Sequence, residues 1–357
     1  MGRTAQHLRK THRHRRTATD DRGTVMHAVR LHAFGPAENL TYEEVPDPVP
    51  GPGQVRIAVT AAGVHLLDTA LRQGHPGPFP APAALPTVPG REVAGTVDAL
   101  GDGTDPSWLG KRVVAHLGMN PGGYAERAVT DADRLHALPD HLGDAEAVAM
   151  IGTGRTTLGI LQFTDLGPDS VAIVPAAAGG IGTLLVQYAK NAGATVVGLA
   201  GGPAKTARVR DNGADLAVDY TRPDWPADVR AFLGDRTATV VFDSVGGATG
   251  RAAVDLLGKG GQHLVFGWSS TGIHEGEPLT FTEDELTARG ITSGSVLGPV
   301  MIQKAGGDVR NLERAALAAA SAGTLRPAVH RFPLAEAAKA HRALETRGTM
   351  GKVVLIP

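Results

Sequence analysis

A glycine-rich turn between an apolar strand and an apolar helix constrains the fold of this chain more than any other feature. Residues 171–174 are all apolar, Ala177-Ala178-Gly179-Gly180-Ile181-Gly182 forms the turn, and residues 181–191 have helical apolar spacing. This order is the dinucleotide-binding fingerprint, with alanine at the first glycine position. Gly179 lets the backbone approach a pyrophosphate at a helix N-terminus, and Gly182 allows close helix–strand packing. The residues predicted to line this cofactor site are Ala178, Gly179, Gly180, Ile181 and Gly182.

After about residue 150, short Val-rich strands alternate with helical segments. The strands are predicted at 171–174, 195–200, 216–219, 239–243 and 262–266, and the helices at 181–191, 203–212, 226–233 and 248–257. Strands that are apolar throughout belong to a parallel sheet covered on both faces. The fold class is therefore α/β, with a doubly wound parallel sheet of the Rossmann type.

The rest of the chain has a different pattern. Residues 26–150 contain short alternating strands among many Pro and Gly residues, which predicts a small barrel-like β domain. Residues 151–292 form the dinucleotide-binding domain. Residues 293–357 hold two Ala-rich helices and a final strand at 352–356, and we expect this segment to return to the first domain.

Composition excludes several classes of function. The chain of 357 residues contains no cysteine, which rules out disulfides, cysteine nucleophiles, iron–sulfur clusters and thiolate zinc sites. A net charge of −1 and an aromatic content of 4% argue against nucleic acid as the main partner. The uncharged stretch 170–189 is long enough for a membrane helix, but Pro175 and three glycines interrupt it, so no membrane partner is expected.

The first residues are strongly basic. Residues 1–24 hold seven Lys or Arg against two Asp and almost no large apolar residue, so we predict a disordered basic tail over residues 1–25. A nucleic-acid or membrane arm is the alternative to an extension without function. The segment lacks the apolar stretch of a signal peptide.

The second strand of the parallel sheet bears on the choice between NAD and NADP. An NAD site usually has Asp or Glu at the end of this strand, whereas here the strand runs into Gly201-Gly202. The following helix begins with Pro203 and Lys205. A cation in the first turn opposes the helix dipole, and a bound 2′-phosphate would remove that conflict. We predict NADPH at Gly201 and Lys205, the alternative being a solvated surface lysine.

Four stretches of the sequence have the pattern of a known family. They are Val88-Pro89-Gly90-Arg91-Glu92-Val93-Ala94-Gly95, Gly122-Gly123-Tyr124-Ala125-Glu126, the turn at 176–182, and Asp243-Ser244-Val245-Gly246-Gly247. In these stretches the chain resembles the medium-chain dehydrogenase/reductase superfamily. The three alanines before Gly179 are similar to the zinc-free NADPH:quinone oxidoreductases (zeta-crystallin-like). The resemblance implies a GroES-like catalytic domain, an inserted Rossmann domain and a cleft between them for the nicotinamide.

Zinc-containing members of the superfamily have metal ligands at three places where this chain has His65, Arg91 and Thr153. His65 and Glu92 could in principle hold a metal, but two ligands do not make a zinc site. No metal is therefore predicted. Quinone reductases usually have Asn at the position of His65 and often Tyr at that of Ala70, whereas Asp68 matches the family.

His65 and Asp68 are the candidate catalytic residues. The free pKa of histidine lies near 6.5, so His65 could donate a proton to a reduced oxygen. The alternative is that His65 only holds its loop by hydrogen bonding. Loss of Tyr at position 70 is expected to widen the mouth of the substrate pocket.

The resemblance also implies further cofactor contacts. Tyr220 is expected beside the adenosine and Arg347 at a cofactor phosphate. Thr153, Gly267 and Ser295 are expected along the nicotinamide. Each of these residues could equally be scaffold.

Together these features predict a cytoplasmic NADPH-dependent reductase that passes hydride to a quinone or conjugated enone without metal. We expect the protein to form a homodimer and to act on a small-molecule substrate. Alternatives are an enoyl-thioester reductase of the same superfamily and an NADPH-binding protein without enzymatic activity.

Overall fold

The computed structural model describes residues 24–77, 79–270 and 278–357. The basic tail predicted for residues 1–25 lies almost wholly outside the described residues.

The N-terminal region begins with an antiparallel pair of strands followed by a mostly antiparallel sheet. Its elements are β1 (Val25–Leu31), β2 (Leu40–Pro46), β3 (Gln54–Val64), α1 (Leu66–Arg72), β4 (Glu92–Leu100), β5 (Arg112–His116), β6 (Arg127–Asp131), β7 (Leu135–Ala137), α2 (Asp144–Ala149) and α3 (Arg155–Leu161). Between α2 and α3 the helix widens into a π-helical turn at Met150–Gly154. Such turns are rare and are frequent at functional sites.

The central region alternates strands and helices as predicted. Its elements are β8 (Val171–Val174), α4 (Gly180–Asn191), β9 (Thr195–Ala200), α5 (Pro203–Asp211), β10 (Leu216–Asp219), α6 (Trp225–Leu233), β11 (Ala238–Asp243), α7 (Gly247–Val254), β12 (Leu257–Val265), α8 (Glu283–Arg289), β13 (Thr292–Ser295) and α9 (Pro299–Lys304). The six strands form a parallel sheet in the order β10-β9-β8-β11-β12-β13. The predicted α/β Rossmann fold is confirmed.

The C-terminal region consists of α10 (Val309–Ser321), β14 (Val329–Pro333), α11 (Ala337–Glu345) and β15 (Lys352–Ile356). β14 and β15 join the N-terminal sheet, whose order is β14-β15-β3-β4-β5-β7, with β6 also paired to β3. The pairing of β15 with β3 is antiparallel and aligns Val353 with Val64. Because the same register continues one residue further along both strands, Lys352 lies opposite His65.

Sequence patterns missed the elements that depend on tertiary packing. Edge strand β13 reads Thr-Ser-Gly-Ser and β14 reads Val-His-Arg-Phe-Pro, and neither has the apolar alternation that predicts a strand. α10 begins at Val309, where the Asp308 side chain caps the helix by accepting from the backbone N–H of Arg310.

The uncharged stretch 170–189 is strand β8, the glycine-rich turn and most of α4. Among the residues that the structure describes, none of the helices has both the length and the apolar character needed to cross a membrane.

Candidate active site

A backbone hydrogen bond ties the glycine-rich turn to the N-terminal sheet. The N–H of Gly351 donates to the carbonyl oxygen of Ala178 at 2.8 Å. Lys352, the next residue, starts β15 and lies opposite His65 at the end of β3. The cofactor turn and the predicted catalytic histidine are therefore joined through a single strand.

Three ionisable side chains meet at this junction. The Nζ of Lys352 lies 2.8 Å from the Nε2 of His65 and 2.8 Å from a carboxylate oxygen of Glu92. The other carboxylate oxygen of Glu92 lies 2.8 Å from the Nε2 of His65. Lys352 is 4% exposed and Glu92 is fully buried, whereas the His65 side chain keeps 28% of its surface exposed. His65 is therefore the most exposed member of this cluster, although its Nδ1 is buried and its Nε2 contacts Lys352 and Glu92.

Two glycines make room for the buried carboxylate. A Cβ at Gly152, in the π-helical turn, would lie 1.4 Å from one Glu92 oxygen, and a Cβ at Gly63 would lie 2.3 Å from the other. No side chain fits at either position without moving Glu92. The π-helical turn thus helps to fix the anion of the cluster.

The cluster shifts the protonation of its members. Burial, and to a smaller extent the Lys352 ammonium, would lower the pKa of His65, but the Glu92 and Asp68 carboxylates together outweigh them and raise this pKa above its usual value. Burial would raise the pKa of Glu92, but His65 and Lys352 hold it well below its usual range. His65 is therefore poised as a proton donor near neutral pH.

Asp68 holds the backbone of His65 by a hydrogen bond. Its Oδ2 accepts from the backbone N–H of His65 at 2.8 Å and from the Tyr124 hydroxyl at 3.1 Å. The same hydroxyl lies 3.1 Å from the Nε2 of His341. Burial would raise the pKa of Asp68, but His65 and Arg91 lower it to about 2. With 3% of its surface exposed, Asp68 orients His65, and a direct catalytic role for it stays a prediction.

The predicted cofactor turn has the close packing that the fingerprint requires. α4 begins at Gly180, so the N–H groups of its first turn have no partner within the helix. A Cβ at Gly182 would lie 2.4 Å from the carbonyl oxygen of Ala176, which explains glycine there. Ala178 is 5% exposed, whereas Gly179, Gly180 and Ile181 are partly exposed. These residues could hold a pyrophosphate by their backbone.

A second group of predicted cofactor contacts lies at the end of β9. The Nζ of Lys205 donates to the backbone oxygen of Arg347, and the Arg347 guanidinium donates to the carbonyl of Ser269 at 2.8 Å. Partial burial and the positive charge of Arg347 lower the pKa of Lys205. A Cβ at Gly201 would lie 3.7 Å from the Tyr220 hydroxyl. The structure thus brings together Lys205 and Arg347, and separately Gly201 and Tyr220.

An acid, Asp219, ends β10, the strand next to β9 in the sheet. Its carboxylate accepts from the Thr221 hydroxyl at 2.7 Å and from the Thr221 N–H at 3.0 Å. The Asp219 carboxylate is thus already engaged by its own turn.

The remaining predicted contacts lie on the same side of the parallel sheet. A Cβ at Gly180 would lie 3.1 Å from the Cγ2 of Thr153, so Thr153 lies beside the turn. Gly267 follows β12, and Ser295 ends β13 opposite Val265. Ligands in parallel α/β sheets bind at the carboxyl ends of strands. Contact of Thr153, Gly267 and Ser295 with a nicotinamide stays a prediction.

Sequence reasoning missed Lys352, Tyr124 and His341 as site residues. A lysine opening an apolar strand, and a glutamate opening the buried strand β4, are the only local signals for the Lys352–Glu92 pair. Ala70 is 2% exposed within α1. It does not border open space in this structure, so the expected widening of the pocket mouth is not supported.

The residues at the former metal position do not fit a zinc ion. Of the three positions where zinc-containing members have ligands, that of His65 holds a side chain suited to zinc, and His65 and the neighbouring Glu92 both contact the ammonium of Lys352, which already supplies a cation. Within residues 24–77, 79–270 and 278–357, no group of three or more His, Asp or Glu is arranged to hold a metal.

Two family models match this chain. The alcohol dehydrogenase GroES-like domain matches residues 51–140, and the zinc-binding dehydrogenase family matches residues 180–306. A 2-haloacrylate reductase from Burkholderia sp. is 33% identical over 93% of this chain and 99% of its own length. A quinone oxidoreductase from Pseudomonas aeruginosa is 32% identical over 92% of this chain and 99% of its own.

A solved structure extends this similarity to the fold. The Escherichia coli quinone oxidoreductase complexed with NADPH superposes with a TM-score of 0.78 at 28% identity, covering 93% of this chain and all of that one. The predicted family is confirmed: this chain belongs to the medium-chain dehydrogenase/reductase superfamily, in its quinone oxidoreductase branch.

Proposed function

We propose that this protein is an NADPH-dependent reductase that transfers hydride to a quinone or a conjugated enone without a metal. The observation that carries the proposal is the contact between the cofactor turn and the His65–Lys352–Glu92 cluster. This contact places a candidate proton donor, His65, beside the dinucleotide site. The positive charge next to His65 is that of Lys352.

The cofactor assignment rests on two groups of residues, the glycine-rich turn and the pair formed by Lys205 and Arg347. The turn at Ala178–Gly182 would hold the pyrophosphate, and Lys205 with Arg347 would hold a 2′-phosphate. The quinone oxidoreductase of Escherichia coli that shares this fold is complexed with NADPH. When bound, NADPH supplies the hydride.

The protein's own residues supply the proton and the orientation. Reduction of a quinone places negative charge on a carbonyl oxygen, and His65, the most exposed member of the cluster, is the proton donor assigned to that oxygen. Lys352 and Glu92 hold the imidazole in place, and Asp68 fixes the backbone of His65. After the transfer, His65 takes up a proton from solvent.

A conjugated alkene is a second acceptor class with specific support. The relative at 33% identity is a 2-haloacrylate reductase, whose named substrate contains a carbon–carbon double bond conjugated to a carboxylate. Hydride addition to such an alkene leaves a carbanion that also needs a proton, so the same donor serves both acceptors.

The predicted homodimer is retained as a proposal. Strand β13 forms one edge of the parallel sheet, and most of its residues are exposed. An unpaired edge of this kind can pair with a second copy. Sedimentation analysis of the full chain would test the dimer. The cytoplasmic location stays a prediction.

One screen tests the proposed activity. We expect purified protein to oxidise NADPH with a naphthoquinone, with phenanthrenequinone and with a small enone, and to act much more slowly with crotonyl thioesters. NADH in parallel tests cofactor choice. Efficient turnover of thioesters with no quinone activity would move the assignment to enoyl-thioester reduction, and no turnover with any acceptor would leave only a binding protein.

A further inference from the structure

Arg91 is a nearly buried guanidinium with unused hydrogen-bond donors. It directly precedes β4, and its side chain is 11% exposed. The nearest carboxylate oxygen is that of Asp68, 3.9 Å from its Nη2, which is beyond hydrogen-bond distance. Its Nε is buried and has no partner within the described part of the chain. Burying such donors is costly unless a ligand uses them.

The guanidinium lies over an aromatic ring, which does not use its hydrogen-bond donors. The centre of the group lies 4.7 Å from the centroid of the Phe79 ring. Stacking occupies the face of a guanidinium, whereas its N–H groups point outward in the plane. The edge of Arg91 is therefore preorganised for a planar acceptor such as a carboxylate.

Asp68 does not satisfy these donors. Its Oδ2 accepts from the N–H of His65 and the hydroxyl of Tyr124, and its Oδ1 faces Arg91 at 3.9 Å, which is too far for a hydrogen bond. Asp68 instead lies between two cationic groups, with Arg91 at 3.9 Å and the Nδ1 of His65 at 3.7 Å. The Asp68 carboxylate thus lies between the unused donors of Arg91 and the proposed proton donor, His65.

The local charge also favours an anionic ligand. Arg91, Lys352 and protonated His65 contribute three positive charges, and Asp68 and Glu92 contribute two negative ones. A neutral quinone would leave the surplus charge and the Arg91 donors unpaired, whereas a substrate carboxylate would satisfy both.

We infer that the physiological acceptor carries a carboxylate conjugated to its double bond, and that Arg91 binds this carboxylate. The inference rests on the proposed function, since it assigns a substrate class to the same site. Unsaturated carboxylates resist hydride because further negative charge develops next to an existing anion. A guanidinium on the carboxylate stabilises that charge as it forms, whereas quinones need no such help.

The reaction balances with the reactants already named. A hydride adds to the β carbon, the electron pair of the double bond moves to the α carbon, and the proton of His65 forms the new bond there. Solvent then reprotonates His65. The net change is unsaturated carboxylate plus NADPH plus one proton, giving saturated carboxylate and NADP⁺.

The first experiment compares acceptors in the wild-type protein. α-Chloroacrylate, its methyl ester and a naphthoquinone are supplied with NADPH, and products are identified by mass spectrometry. We expect α-chloropropionate, with one deuterium at the β carbon from labelled NADPH and one at the α carbon from heavy water. Reduction of the quinone but not of α-chloroacrylate would overturn this inference and leave the proposed function intact, whereas no reduction of any acceptor would overturn both.

The second experiment tests Arg91 itself. We expect Arg91→Gln to lower kcat/KM for α-chloroacrylate by about 10²-fold, as for a lost charge-assisted pair, with little change for the ester or the quinone. Arg91→Lys should keep part of the activity. The matched control is Arg251→Gln, because Arg251 stacks on Phe281 at 4.4 Å far along the chain from the site. Equal losses for all three acceptors would overturn the assignment of Arg91.

A binding measurement keeps the inference testable if the variant folds poorly. In calorimetry on wild-type protein with NADP⁺ present, we expect α-chloropropionate to bind and its neutral amide to bind at least about tenfold more weakly. Equal binding of the acid and the amide would contradict recognition of a carboxylate.

Discussion

The Nζ of Lys352 and the Nε2 of His65 lie 2.8 Å apart, although 287 positions separate the two residues in sequence. The ammonium of Lys352 also contacts Glu92, so one buried cation joins the proton donor to the anion that raises its pKa. This contact combines the C-terminal strand, the N-terminal sheet and the cofactor turn into one site.

Removing this cation should destabilise the protein strongly. We expect Lys352→Met to lower the free energy of unfolding by about 3 kcal/mol, because Glu92 loses a partner in a fully buried position. The control is Lys339→Met, since Lys339 forms an exposed pair with Glu336 whose loss should cost about 0.5 kcal/mol or less. Urea unfolding measures both values, and similar costs for the two variants would contradict the buried-pair argument.

The second prediction concerns cofactor choice. We expect Lys205→Ala to weaken NADPH binding by about 1–2 kcal/mol, as for a lost charge-assisted phosphate contact, and to leave NADH binding nearly unchanged. Arg208→Ala on the exposed face of the same helix is the control. Fluorescence titration gives the dissociation constants. Equal losses for both cofactors would show that Lys205 does not bind a 2′-phosphate.

The third prediction is a pH profile. Because Glu92 raises the pKa of His65, the donor is protonated below that pKa and loses its proton above it. We expect kcat for a naphthoquinone to be level on the acid side and to fall as pH rises through a value above the ordinary histidine pKa. His65→Asn should abolish this limb and lower kcat by about 10²-fold.

A control separates the donor role from a structural one. His141→Asn removes an exposed histidine that is bonded to Ser321, and it should leave the profile unchanged. If His65→Asn kept the wild-type limb, with kcat reduced only slightly, His65 would be a residue that shapes its loop.

The fourth prediction concerns metal. Because Lys352 occupies the contacts of His65 and Glu92, dialysed protein should hold far less than one zinc per chain, and a chelator should leave quinone reduction unaffected. Elemental analysis together with assays before and after chelation tests both points. Stoichiometric zinc that is lost together with activity would reverse the assignment.

Local sequence determined the dinucleotide-binding half of this protein. The strand, Gly-rich turn and helix at 171–191 are contiguous, so spacing alone predicts both the fold and the cofactor turn. Lys205 could be singled out for the same reason, because the absence of an acid at the end of β9 and the start of α5 can both be read within a few residues.

Tertiary structure decided the chemistry of the substrate side. His65 was visible in the sequence, but its partners Lys352 and Glu92 come from strands far apart in the chain, and only the antiparallel register of β15 on β3 brings Lys352 opposite His65. The unused donors of Arg91 likewise depend on tertiary distances, because Phe79 packs against the guanidinium and Asp68 stops 3.9 Å short of it. Charge pairing at a buried site depends on distances between strands, and local sequence patterns do not contain those distances.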